Sequence, residues 1–194
     1  AVLENGGKWA WKPHEVETLD GMRDGVMRNR TARELIEAGG FSENTILFEV
    51  EGIECKCRID LLNFEGVIVD VKTTATTDRR GFDRQIVECR YDFSAAFYEA
   101  ARNSLPDLNM AAPFLHLVVQ KSPPYYAYVW PIDDSWLRVG RRDLRIAFDR
   151  LSRCLNSEEK GMDAWPDLVE SQQMQPTAAP HWYLAQSGFH PDAF

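Results

Sequence analysis

The sequence contains 194 residues, of which 44% are hydrophobic and 27% are charged, and its formal net charge is −8. This composition excludes an intrinsically disordered chain, which would be depleted in apolar residues. No apolar run approaches the roughly 18 residues needed to cross a bilayer, and the N-terminus lacks the basic and then apolar order of a signal peptide. We therefore expect a cytoplasmic protein with no membrane partner.

One hydrophobic core is sufficient for a chain of this length, because single domains usually contain roughly 100 to 200 residues. We expect a single domain over residues 1–194, with its core at about residues 14–156. Residues 157–194 are first acidic and then rich in glutamine and proline. They are expected to form an extended tail, packed on the domain or on a neighbouring subunit.

The acidic net charge argues against nucleic acid as a partner, because phosphate binding normally requires a basic surface. The arginines are nevertheless clustered, at residues 23–33, 79–90 and 138–153. A local basic face on an acidic protein is therefore compatible with the sequence. The four cysteines have neither zinc-ribbon spacing nor the density of a disulfide scaffold, and they are expected to be reduced thiols.

The first half of the chain predicts a helix followed by strands. Apolar residues recur at helical spacing from His14 to Gly39, which predicts one helix. Residues 45–50 and 53–62 then predict a hairpin that turns at Glu51 and Gly52. The segment 67–73 is almost continuously β-branched, which is typical of a central strand.

The second half predicts a helix, two strands and a last helix. Apolar residues recur at helical spacing from Phe82 to Ala100, which predicts a single long amphipathic helix. Strands are expected at 114–120 and 125–131, and a helix capped by Asp133 or Asp134 should follow. The predicted fold is α/β: a central mixed β-sheet flanked by helices.

An acid and a lysine stand on one face of the predicted central strand. Asp70 and Lys72 are two residues apart, so their side chains leave the same face, while Val67, Val69 and Val71 are predicted to face the packed side. Burying two charges is costly unless they are paired, solvated or bound to metal. The alternative interpretation is a partly exposed ion pair on an edge strand.

Asp60 adds a second carboxylate. It lies near the end of the preceding strand, and a short connection between antiparallel neighbours would bring it close to Asp70. Two converging carboxylates are stabilised by a hard divalent cation such as magnesium. Lys72 beside that cation could orient the attacking water and offset charge in the transition state.

Three segments resemble a known family. Residues 55–60 (Cys-Lys-Cys-Arg-Ile-Asp), 68–74 (Ile-Val-Asp-Val-Lys-Thr-Thr) and 90–98 (Arg-Tyr-Asp-Phe-Ser-Ala-Ala-Phe-Tyr) are similar to the nuclease domain of RecE, exonuclease VIII. That family belongs to the PD-(D/E)xK nuclease superfamily, whose fold is a restriction-endonuclease-like core. The resemblance covers roughly residues 40 to 170.

The resemblance implies a set of site residues. Asp60 and Asp70 would be metal ligands, the backbone carbonyl of Val71 another ligand, and Lys72 the catalytic lysine. The implied cation is Mg²⁺, with Mn²⁺ as a substitute. Glu43 is similar in position to the family's upstream acid. A solvated turn acid is the alternative for Glu43, and Glu49 is a neighbouring candidate.

The segment after the central strand supplies the candidate DNA contacts. Arginines at the start of the helix would reach phosphates, although ordinary solvated charge is the alternative. The family's Gln-x-x-x-Tyr pattern reads Ser94 to Tyr98 here, so its glutamine is absent, and Gln85 is not taken as its replacement. The candidate DNA-binding residues are Arg79, Arg80, Arg84, Tyr91, Ser94 and Tyr98.

Two histidines were weighed as functional residues. The family has an upstream metal-binding histidine in a glycine-containing motif, and His14 does not match that motif. His116 stands within an apolar strand, where a lone histidine is usually a satisfied core residue. Neither histidine is therefore included in the predicted site.

The resemblance implies a magnesium-dependent 5′-to-3′ exonuclease acting on double-stranded DNA ends in phage or prophage homologous recombination. It further implies a single-strand annealing protein as partner and a ring-shaped homo-oligomer, a trimer or tetramer. A structure- or site-specific endonuclease is the alternative enzyme, because the same metal core serves both. A catalytically silent DNA-binding or assembly module is the alternative from another class.

Overall fold

The structure is a computed structural model that describes residues 11–76, 78–158 and 164–165. Most of the predicted C-terminal tail lies outside the described residues. The contacts divide the chain into a unit of residues 1–149 and a unit of residues 150–194. No helix in the described ranges is long and apolar enough to span a membrane. The single-domain and cytoplasmic interpretations stay predictions.

A five-stranded mixed sheet forms the centre of the first unit. Its strands are β1 (Gly40–Val50), β2 (Ile53–Asn63), β3 (Ile68–Thr74), β4 (Phe114–Gln120) and β5 (Ala127–Pro131). They follow one another across the sheet in chain order, and all neighbours are antiparallel except β3 and β4, which are parallel. The predicted mixed sheet with a central third strand is confirmed.

Helices cover both faces of this sheet. They are α1 (Pro13–Arg28), α2 (Arg30–Glu37), α3 (Arg79–Cys89), α4 (Tyr91–Asn103) and α5 (Asp134–Leu155). Met22 and Val26 of α1 and Leu35 of α2 pack against the face of β3 and β4 that carries Val69 and Leu117. The opposite face packs on α3 through Val118 and on α4 through Ile68 and Phe114. The flanked α/β architecture is therefore as predicted.

Two helices that the periodicity predicts as continuous are broken, so these two predictions are wrong. The first breaks at Asn29, whose side chain caps α2 at Ala32 N (3.0 Å) and donates to Ala127 O (2.8 Å). The second breaks at Arg90, which has left-handed φ and ψ of 54° and 44°. Apolar spacing hides both breaks, because the helices on either side keep an apolar face towards the sheet.

The register of the strands decides which side chains share a face. The hairpin is confirmed, with Val50 opposite Ile53. In the parallel pair, Asp70 lies beside His116 and Lys72 beside Val118. Because side chains alternate along strands, all four face the side covered by α3 and α4. The acid and the lysine are thus enclosed beneath helices.

A buried arginine holds together the two segments that lead into β3 and β4. Arg102 is 1% exposed, and its guanidinium donates to the carbonyls of Gly66 (3.2 Å), Met110 (2.8 Å) and Ala112 (2.6 Å). Gly66 has a positive φ of 85° in the turn before β3. Arg102 therefore connects the start of the parallel strand pair to α4, and burial lowers the pKa of its guanidinium.

Replacement of Arg102 by methionine, which is similar in length, should lower the free energy of unfolding by about 3 kcal/mol or more. The reason is that buried carbonyls without partners each cost about 1–3 kcal/mol. Urea denaturation measures the change. Arg30→Met is the matched control, because the ion pair that the described residues give Arg30 is an exposed one with Glu34. Its loss should change stability by less than about 0.5 kcal/mol. Equal effects for both variants would contradict the assignment.

Candidate active site

The pairing between β2 and β3 is short, and its end creates the site. Paired residues are found only at Leu61 with Val69 and at Leu62 with Ile68. The next N–H of β3 that faces β2, from Val71, donates to the Asp60 carboxylate at 2.7 Å. Since the N–H and C=O of one strand residue face the same neighbour, the Val71 carbonyl also faces Asp60. A carboxylate thus replaces backbone pairing at this point.

The Val71 side chain lies differently from the prediction. It was expected to pack with Val67 and Val69, but it is 45% exposed, whereas those two residues are 9% and 1% exposed. Val71 lies where β2 no longer pairs with β3, and none of the described helices covers it as α1 and α2 cover the beginning of β3. The prediction for Val71 is wrong because strand alternation assigns a face but not what covers that face.

Asp70 lies beneath the helices and is paired with Lys72. Asp70 is 2% exposed, and its Oδ2 is 2.5 Å from Lys72 Nζ. Burial raises the pKa of Asp70, Lys72 opposes that rise, and the negative charge of Asp60 adds to it. The alternative of a partly exposed pair on an edge strand is wrong, because β3 is central and Asp70 is buried.

The oxygen atoms at this point suit a hard divalent cation. Magnesium is typically held by one or two carboxylates together with waters and substrate phosphate. The negative charge of Asp60 raises the pKa of Asp70, and the Val71 carbonyl faces the same space. The described residues contain no cluster of three or more His, Cys, Asp or Glu side chains that could hold a metal alone. The donor set therefore fits a cation that also takes ligands from solvent and substrate.

Lys72 lies against Tyr91 of α4, and Gln85 of α3 contacts Tyr91 in turn. Its ammonium lies 4.8 Å from the centre of the Tyr91 ring, and its side chain is 18% exposed. Gln85 Nε2 donates to the Tyr91 hydroxyl and to Thr73 O, both at 3.1 Å. The sequence predicted Gln85 and Ser94 on one helix, but Gln85 lies on α3 and its amide contacts β3 at Thr73 O.

Helix α4 presents one face to the acid pair. Tyr91, Ser94 and Tyr98 are three and four residues apart, so they share that face. Burial, followed by the negative charges of Asp70 and Asp60, raises the pKa of Tyr98. The half-buried Ser94 donates its hydroxyl to Arg90 O at 3.5 Å. Tyr98 is thus close to both carboxylates.

Glu43 is opposite Asp60 in the β1–β2 pairing but is otherwise engaged. Glu43 falls between the pairs Ser42–Leu61 and Asn44–Ile59, has a positive φ of 52°, and pairs with Arg58 at 2.9 Å. No described contact joins its carboxylate to Asp60 or Asp70. Glu49 lies near the hairpin turn, opposite Glu54 of β2. Glu54 is six residues before Asp60 on that strand, so Glu49 is distant from Asp60. Neither glutamate is brought to the acid pair.

The three predicted arginines of α3 have different surroundings. Arg79 pairs with Asp83 at 2.9 Å and lies 5.3 Å from the Trp130 ring centre. Arg80 is exposed. Arg84 lines an open cavity of about 420 Å³ at the end of β3, together with Thr73, Thr74 and Lys121. Within the described part of the chain, neither Arg84 nor Lys121 has an ion-pair partner.

Two residues near the site were not included in the predicted site: Lys121 was not considered, and His116 was set aside as a core residue. Lys121 follows β4, and only the parallel pairing with β3 brings it to the cavity. His116 is 1% exposed, and its Nε2 is 3.9 Å from Asp70 Oδ2. His116 lies on the same face of the sheet as Asp70 because β3 and β4 pair in parallel with these two residues opposite each other. The sequence of either strand alone does not predict that register.

The comparisons agree with this geometry. The chain has 16% identity to the crystal structure of a protein from Eubacterium rectale named "Putative exonuclease", with a TM-score of 0.60 over 90% of this chain and 67% of that one. That likeness shows the fold. The match to the crystal structure of SSO0001 covers 69% of this chain and 58% of that one at 13% identity. Its TM-score of 0.33 is too low to support an argument about the fold. No curated protein matches the sequence.

The family model described as "PDDEXK-like domain of unknown function (DUF3799)" matches residues 7–166. This range includes all five strands of the described sheet and the acid pair with its lysine. The fold, with its mixed sheet flanked by helices, is that of the PD-(D/E)xK superfamily. The chain belongs to the PDDEXK-like DUF3799 family.

Proposed function

We propose that the chain is a magnesium-dependent nuclease that hydrolyses phosphodiester bonds of double-stranded DNA. The observation that carries the proposal is the convergence of Asp60 and Asp70 where β2 leaves β3, with Lys72 beside them. The central strand of a PDDEXK-like fold would otherwise have no reason to retain a buried acid and lysine. A structural ion pair alone does not explain the second carboxylate.

Asp60, Asp70 and the Val71 carbonyl would hold the cation, Mg²⁺ or Mn²⁺. A bound cation of this kind polarises a phosphoryl oxygen and lowers the pKa of a coordinated water. Lys72, braced by Tyr91, orients the attacking water and offsets the negative charge that develops on the phosphoryl group. The helices above the site exclude bulk water from this ammonium, which strengthens its electrostatic effect.

The finer assignment rests on the resemblance to RecE. It consists of 5′-to-3′ exonuclease action on duplex ends, a role in phage or prophage recombination, a single-strand annealing partner and a ring-shaped trimer or tetramer. The name of the Eubacterium rectale protein is compatible with exonuclease action. Glu43 would take the place of the family's upstream acid, which requires that its carboxylate break the ion pair with Arg58.

A catalytically silent DNA-binding module is the second candidate. It is favoured by Ser94 in the place of the family glutamine and by the engagement of Glu43 with Arg58. The contacts of Gln85 with Thr73 and Tyr91 support the nuclease instead, because they place a glutamine amide next to the strand that carries Asp70 and Lys72. Digestion experiments separate the two candidates.

The expected activity is degradation of linear duplex DNA in the presence of Mg²⁺ and survival of covalently closed circles. The measurement is a timed digestion of end-labelled linear and closed circular DNA, with and without Mg²⁺. Release of label from one end gives the polarity. Nicking of the closed circles would contradict exonuclease action and support the alternative of an endonuclease. Absence of cleavage of both forms would support the alternative of a catalytically silent DNA-binding module.

Asp60→Asn and Asp70→Asn serve as controls in the same digestion. Each should reduce the cleavage rate by more than tenfold, which corresponds to more than about 1.4 kcal/mol in the barrier. An asparagine oxygen at position 60 can still accept from Val71 N–H, so the fold should be kept. A variant that folds and retains more than a tenth of the rate would not have lost a metal ligand.

Lys72→Ala should separate binding from chemistry, because the ammonium acts mainly on the transition state. Single-turnover cleavage should slow by about 100-fold or more, while metal and DNA still bind. Lys72→Arg should recover little, because a guanidinium is larger and does not deliver a proton at neutral pH. Normal cleavage combined with weak DNA binding would make Lys72 a phosphate contact instead.

Arg84 and Lys121 should contribute to the DNA path, because both are exposed cations without described ion partners at the end of the catalytic strand. Arg84→Glu combined with Lys121→Glu should weaken duplex binding and lower the salt dependence of the binding constant. Filter binding across a salt series measures both. The matched control is Arg30→Glu combined with Arg33→Glu on α2, and equal losses in both double variants would indicate a non-specific charge effect.

A further inference from the structure

One buried side-chain nitrogen in the described part of the chain, His116 Nε2, has no hydrogen-bond partner. It lies 3.9 Å from Asp70 Oδ2, an oxygen that is paired with Lys72 Nζ at 2.5 Å. The two residues are 1% and 2% exposed. Buried polar atoms are almost always hydrogen-bonded, so an unpartnered nitrogen beside a buried carboxylate needs an explanation.

The imidazole of His116 is fixed in place by its surroundings. In the parallel pair, His116 is the direct neighbour of Asp70. Its ring lies against Phe114 at 5.2 Å, Phe82 at 5.4 Å and Tyr91 at 5.9 Å between ring centres. These three aromatic side chains and the burial of His116 restrict the movement of the ring.

The imidazole has a ring nitrogen in a position to donate to Asp70. Nε2 of His116 is 3.9 Å from Asp70 Oδ2 and can carry a proton. A neutral imidazole carries one proton, on either Nδ1 or Nε2. A proton on Nε2 would point at Asp70 Oδ2, and a movement of about 1 Å would complete an N–H···O bond of 2.7–3.2 Å.

We propose that His116 is a positioning residue that donates Nε2–H to Asp70 Oδ2 and thereby orients the Asp70 carboxylate for a divalent cation. This inference rests on the proposed function, because it requires a cation at Asp60 and Asp70. Binding of one carboxylate oxygen from the β4 side directs the other oxygen away from β4, towards the side where Asp60 meets β3. Groups behind metal ligands act in this way and commonly change metal affinity by 10–100-fold.

The alternative is that His116 is simply an aromatic core residue. In that case phenylalanine, which fits the same aromatic surroundings, should serve equally well. Phenylalanine removes an unpaired buried nitrogen, so the metal-free protein should lose no stability on that account. The two interpretations therefore differ in metal affinity and not in the stability of the metal-free fold.

The test compares His116→Phe and His116→Gln with the wild type by calorimetric titration of Mn²⁺ in the absence of DNA. His116→Phe should weaken Mn²⁺ binding by 10–100-fold and keep the unfolding midpoint of the metal-free protein. His116→Gln should restore most of the affinity, because its amide nitrogen reaches about as far from the backbone as Nε2 and can donate. His14→Phe, at an exposed position, should leave the affinity unchanged.

Each outcome bears on a different statement. Wild-type affinity in a folded His116→Phe variant would overturn the role of His116 and leave the proposed nuclease intact. If His116→Phe does not fold, His116→Leu replaces it, and an affinity equal to that of His116→Gln would overturn the role in the same way. Mn²⁺ binding that Asp60→Asn and Asp70→Asn leave unchanged would overturn the metal site itself, and with it both proposals.

Discussion

Val71 N–H donates to the Asp60 carboxylate at the point where the backbone of β2 has stopped pairing with β3. Without this bond, the N–H in the middle of a central strand would lack a partner, and Asp60 would be free to turn to solvent. The same bond holds the carboxylate against the strand that carries Asp70 and Lys72. One hydrogen bond therefore satisfies the sheet and assembles the site, and the cation chemistry we propose depends on it.

The parallel pairing of β3 with β4 adds the second part of the arrangement. It places His116 beside Asp70 and brings Lys121 to the cavity at the end of β3. Arg102 secures this pairing by binding carbonyls in the two segments that precede the strands. The buried guanidinium thus contacts both segments that lead into the parallel pair that contains Asp70 and His116.

The candidate site contains charges in a largely buried environment. Burial and the negative charge of Asp60 raise the pKa of Asp70, and the contact with Lys72 opposes that rise. Lys72 in turn is covered by the Tyr91 ring, which Gln85 holds by its hydroxyl. Arrangements of this kind are costly to stability and are typical of sites prepared for catalysis.

The sequence by itself determined the mixed α/β sheet, the central strand and the shared face of Asp70 and Lys72, because strand alternation and β-branched composition are local properties. It missed the breaks at Asn29 and Arg90 and predicted two continuous helices, since the apolar period continues through both. Only the tertiary structure decided that Val71 is exposed, that His116 faces Asp70 and that Glu43 pairs with Arg58. Those features depend on where strands stop pairing and on the register between segments distant in the chain, and residue spacing carries no information about either.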